Sequence, residues 1–91
     1  MPYLRWPEEG EADLGHPVEY YQSRECTIDW RGPLSISPSS NWGIGVKVIT
    51  ATHDLSDFGK VVYRPVVVED GAWICSYAIL YNCRIGKNLK N

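Results

Sequence analysis

The chain has 91 residues, 44% of them hydrophobic, with four Trp, six Tyr and a net charge of −2 at neutral pH. That composition excludes a disordered polymer and lacks the basic footprint of a nucleic-acid binder. A single domain of this length buries roughly 60–65% of its unfolded surface, so its core is modest. No run approaches eighteen apolar residues, and the opening MPYLRWPEEGEADLG is acidic where a signal peptide needs an apolar centre. Cys26, Cys75 and Cys83 form no CxxC pair, which points away from a disulfide framework or thiolate zinc site and toward a cytoplasmic protein with reduced thiols.

The composition shifts along the chain. Seven of the eleven acidic residues lie before position 30, whereas all seven isoleucines lie after position 27. Residues 1–25 carry Pro2, Pro7, Gly10, Gly15 and Pro17 without a 3.6-residue period, and read as an irregular lead-in with a short turn of helix around Glu8–Leu14. From Thr27 onward β-formers dominate, broken by Gly, Pro, Asn and Ser at short intervals. The expected fold class is all-β.

A period of six runs through this region. Trp30, Ile36, Trp42 and Val48 are all bulky and apolar, and the series resumes at Val68, Ile74 and Leu80. Two residues before each stand Ile28, Leu34, Ser40, Val46, Val66, Ala72 and Ala78, mostly apolar as well. Hairpin sheets keep no such clock, because their turns vary in length. A coil with three flat faces of six residues does, with side chains pointing inward from each face and polar or glycine corners; stacked coils then bury a continuous core.

The words on this comb resemble the hexapeptide-repeat acyltransferases, a family of left-handed parallel β-helices. WGIGVKVITATHD (42–54) resembles the approach to that family's catalytic histidine, VVYRPVVVEDGAWI (61–74) the return from its protruding loop, and RIGKN (84–88) the following repeat. The similarity covers about residues 26–88 and is nearest to the maltose, galactoside and polysaccharide O-acetyltransferases. It implies about three coils within residues 26–91, a loop at 53–64 reaching toward a neighbouring subunit, and a homotrimer. Twenty residues separate Val48 from Val68, against eighteen expected for a plain coil, and the segment 53–64, without comb residues and rich in Asp, Ser and Gly, reads as a loop leaving the coil.

The same resemblance assigns roles. His53, at the end of the VITAT run, is the expected general base; His16 sits between Gly15 and Pro17 without patterned context and reads as surface or structural. Asp29 matches a family position that contacts the acceptor sugar, and its alternative is a corner residue bonding its own turn. Trp73 precedes an inward comb residue, should face outward, and is expected to touch acceptor or acetyl-CoA, the acyl donor. The backbone near Cys75 and Ser76 is implied to contact acetyl-CoA, while the thiols of Cys75 and Cys83 read as small buried hydrophobes. Asp54 reads as solvated, and Lys87 or Lys90 as a candidate contact for a CoA phosphate.

The implied activity is acetyl-CoA-dependent O-acetylation of a sugar or polysaccharide precursor, without a metal. Zinc enzymes sharing this fold need three histidine ligands, and this chain has two histidines. At position 86 the comb expects a bulky residue but Gly86 stands there, with Ile85 one place early. Family enzymes continue beyond this point with coils that complete the acetyl-CoA site, whereas the sequence ends at Asn91. The alternative expectation is therefore a shortened, inactive β-helix module used for assembly or binding.

Overall fold

The computed structural model describes residues 12–90. Short strands follow one another along the chain: β1 (Ala12–Asp13), β2 (Thr27–Ile28), β3 (Leu34–Ile36), β4 (Asn41–Trp42), β5 (Lys47–Ile49), β6 (Ala51–Asp54), β7 (Asp57–Tyr63), β8 (Val66–Val68), β9 (Trp73–Ile74), β10 (Ile79–Tyr81) and β11 (Cys83–Ile85). A five-residue helix, α1 (Val18–Gln22), lies between β1 and β2. The class is all-β, and no helix among the described residues is long and apolar enough to cross a membrane.

Among the described residues pairing is parallel except in the β6–β7 hairpin. One sheet runs β1-β3-β8-β11, a second β2-β5-β10, and a third pairs β4 with β9. The chain thus visits the three sheets in the same order in successive circuits, with Leu34 beside Val66, Trp42 beside Ile74, and Val48 beside Leu80. Comb positions therefore stack on comb positions. Ile36, Val48, Val68 and Leu80 are each at most 1% exposed, and Trp42 and Ile74 are nearly as buried. Burying each such aliphatic side chain contributes about 1.5–3 kcal/mol.

Two expectations are corrected by this register and one is met. Trp30 is not a core residue: it is half exposed, because Ile28 is the residue that pairs with Val48. From Ile28 to Ile36 the chain takes eight residues instead of six, and the surplus places Trp30 in a widened corner. The excursion after Val48 is also longer than the sequence arithmetic suggested. Val48 and Val68 lie on consecutive faces, which need only six residues between them, so fourteen of the twenty are extra. The hairpin takes up that excess, and it begins at Ala51 rather than His53. The coil after Leu80 is one residue short, as the early Ile85 implies: Ile85 stands beside Val68, and the shortened corner is turned at Asn82, with φ of 48°.

The segment read as an irregular lead-in is part of the stack from residue 12. Ala12 pairs with Leu34, and α1 takes the place of a strand opposite β4. Pro17 presets the backbone before α1 and Glu19 lies in its first turn, both favourable at a helix start. Tyr21 is buried edge-on against Trp42, 5.3 Å between ring centroids. His16 stacks flat on Tyr20 at 3.8 Å, and its Nε2 donates to the Ser40 carbonyl at 2.9 Å. That histidine is structural. The turn of helix expected around Glu8–Leu14 falls partly outside the described residues; within them, Ala12–Asp13 is strand.

Candidate functional site

The site begins where the chain leaves the stacked circuits. Thr50, between β5 and β6, is fully buried. Its hydroxyl donates to the Asp29 carbonyl at 2.8 Å and accepts the Gly32 N–H at 3.0 Å. Its own carbonyl accepts the Arg64 N–H at 2.8 Å, closing the base of the hairpin. From that base β6 and β7 run antiparallel, Thr52 facing Val62 and His53 facing Val61, with a bulge between His53 and Asp54. Alternation puts His53 and Val61 on one face of the ribbon and Thr52 and Val62 on the other.

His53 is exposed. Its ring meets Phe58 edge-on, 6.4 Å between centroids at 77°. Among the described residues no group holds the imidazole by a hydrogen bond. Asp54 does not orient it: one carboxylate oxygen accepts the Ser56 N–H at 2.8 Å and the Ser56 hydroxyl at 2.7 Å. Those bonds hold the Asp54 carboxyl below the usual range. A groove of about 440 Å³ runs beside the hairpin, lined by Thr52, His53, Arg64 and Tyr81 among others. Its size suits a monosaccharide-sized ligand.

Asp29 lies in the widened corner below the hairpin. Arg31 grips its carboxylate with two side-chain bonds of 2.9 Å and donates its backbone N–H at 3.1 Å. The Arg31 guanidinium holds this carboxyl down to about 2. Asp29 lines neither the hairpin groove nor the one described next, and its observed bonds are those of a corner residue.

The expected donor contacts do come together. Trp73, Cys75 and Ser76 line a second groove of about 350 Å³ with Trp42, Gly43 and Lys90. Trp73 faces outward and is 54% exposed, as its place before Ile74 demands. The Lys90 ammonium sits 5.2 Å from its ring centroid, a cation–π arrangement that leaves a positive charge at the groove. Cys75 is exposed, correcting the expectation of a buried thiol; it is Cys83 that burial shields, and burial pushes its thiol up. The Ser76 hydroxyl accepts the Ile44 N–H at 3.0 Å. A side chain at Gly43 would fall 2.5 Å from the Ser76 nitrogen, so only glycine allows the two backbones to approach this closely.

His53 and the Trp73 cluster line different grooves within one chain. Arg64, Tyr81 and Thr50 carried no motif of their own in the sequence. Their importance comes from pairing partners far along the chain, although a Thr closing an inward-facing VIT run and an Arg before Pro65 mark the ends of the excursion. No protein-family model, curated protein or solved structure matches this chain.

Proposed function

We propose that the protein is an acetyl-CoA-dependent O-acetyltransferase acting on a hydroxyl of a sugar or polysaccharide precursor, with His53 as general base. In this reading the three parallel sheets are the faces of a short left-handed β-helix, and the working unit is a homotrimer. The observation that carries it is the antiparallel hairpin, bearing His53, that interrupts the otherwise parallel circuits of the described residues. Exposed apolar side chains support association: Leu55 and Phe58 on the hairpin and Ile79 on β10 are 90%, 70% and 65% exposed. Because His53 and the Trp73 groove do not meet within a chain, the complete site forms between two copies.

A sugar hydroxyl is a weak nucleophile at neutral pH. The His53 imidazole accepts its proton as the oxygen attacks the thioester carbonyl. The tetrahedral oxyanion takes a backbone N–H donor, a role we assign to the Ser76 amide in the Trp73 groove. Collapse breaks the C–S bond, and the imidazolium returns the proton to the departing CoA thiolate. Trp73 offers an apolar platform for the pantetheine arm, and Lys90 a cation for a phosphate.

The test is calorimetric titration with acetyl-CoA, followed by acetyl transfer to glucose, galactose and N-acetylglucosamine. Micromolar binding with acceptor-dependent release of CoA is expected. A folded protein that binds no acetyl-CoA refutes the reading. It would favour a non-catalytic assembly module, to which the absence of any hydrogen-bond partner for the His53 ring among the described residues already lends weight.

A further inference from the structure

We propose that Asp29 and Thr50 are positioning residues that set the exit angle of the His53 hairpin, and that Asp29 does not touch the acceptor. This rests on the acetyltransferase reading above and departs from the role the resemblance implies for Asp29.

The corner between Ile28 and Leu34 is two residues longer than the comb requires, and those residues build a knot. An ionised carboxylate offers about four acceptor sites. Here Oδ1 takes the Arg31 backbone N–H and Nε, at 3.1 and 2.9 Å. Oδ2 takes the second Arg31 guanidinium nitrogen at 2.9 Å and the Thr50 N–H at 3.4 Å. No acceptor capacity is left over for sugar hydroxyls. The carboxyl stays ionised well into acid, so the arrangement persists at every working pH.

Thr50 completes the knot. It is 0% exposed, and its hydroxyl ties it to Asp29 and Gly32 in the preceding circuit. Its carbonyl ties it to Arg64 at the far end of the hairpin. Both feet of the ribbon are therefore anchored to one corner. Gly32 permits this approach, since a Cβ there would stand 2.6 Å from the Thr50 carbonyl oxygen, a backbone atom that cannot swing aside. His53 lies three residues beyond Thr50 on the same strand, and a shift of the exit point carries directly to its ring. A misplacement of about 1 Å at a reacting group costs roughly a hundredfold in rate.

Three variants test the proposal: Thr50→Val, Thr50→Ser and Asp29→Asn. With acetyl-CoA and the most active hexose acceptor, Thr50→Val and Asp29→Asn should lower kcat by roughly tenfold to a hundredfold with acceptor KM little changed. Thr50→Ser keeps the hydroxyl and should remain near wild type. A raised acceptor KM with unaltered kcat in Asp29→Asn would overturn the proposal, since that is the signature of a lost sugar contact. A second arm needs no activity. In the same variants, NMR should show shifted His53 ring signals and faster exchange of the Arg64 amide for Thr50→Val, but not for Thr50→Ser. If the wild type transfers no acetyl group, the acetyltransferase reading falls, while this arm still decides whether the knot positions His53: unchanged signals in Thr50→Val and Asp29→Asn overturn it. Asp29→Asn, at the half-buried corner, covers the case in which Thr50→Val does not fold.

Discussion

Replacing His53 by Ala separates chemistry from stability more cleanly than any other change in this chain. The side chain is exposed, and among the described residues its one ring contact is the edge-on meeting with Phe58, itself 70% exposed. Such a contact is worth well under about 1 kcal/mol, so Tm should fall by less than about 4 °C in a domain of this size. Loss of a general base, in contrast, lowers the rate about 10²- to 10⁴-fold, equivalent to about 2.7–5.5 kcal/mol in the activation free energy. The assay should follow the acetylated sugar by mass spectrometry, because the exposed Cys75 would react with chromogenic thiol reagents. His53→Gln, which keeps hydrogen-bonding capacity without the base, should be equally slow. Acetyl transfer by His53→Ala at close to the wild-type rate would refute the assignment of the base and with it the role of the hairpin.

Because His53 and Trp73 line separate grooves, His53→Ala and Trp73→Ala copies refolded together should regain activity. In randomly mixed trimers roughly a quarter of the sites receive an intact half from each copy, and no recovery would argue for a site within one chain. Leu80→Ala removes a side chain that is 1% exposed and should cost about 2–5 kcal/mol in denaturant unfolding; a cost below about 1 kcal/mol would mean the stack is not the stabilising core. Iodoacetamide should alkylate Cys75 before Cys83, whose thiol burial raises and shields, and acetyl-CoA should slow the first reaction if the Trp73 groove holds it. Asp29 has a folded-state value of about 2, below its ordinary one, so its contribution to stability is present above about pH 4 and is lost as pH falls toward 2. Screening around the exposed Arg31 limits that contribution to about 1 kcal/mol, and wild type should therefore lose that much more than Asp29→Asn over this interval in chemical unfolding.

The apolar comb was legible because burial in three flat faces imposes a local period that needs no knowledge of partners. Ile36, Trp42, Val48, Val68, Ile74 and Leu80 are all buried as the period requires, and Trp73, one step out of phase, faces out. The one-residue shortfall before Ile85 was visible for the same reason. The candidate residues were legible in kind as well: Trp73, Cys75 and Ser76 share a groove, and His53 stands on the excursion.

What the local pattern left open was phase across interruptions. A corner two residues too long and a hairpin of fourteen extra residues shift the comb without breaking it, so Trp30 satisfied the period while standing outside the core. Only the pairing of Ile28 with Val48, and of Leu34 with Val66, shows where each circuit restarts. The bonds of Asp29 and Thr50 belong to the same class of information, since they join residues 21 positions apart. By itself, then, the sequence determined the class of fold and most of the inward residues, because burial and residue type act locally. The tertiary structure decided the register, the exit of the hairpin and the separation of the two grooves, because backbone pairing between successive circuits is set by partners that no short window of sequence contains.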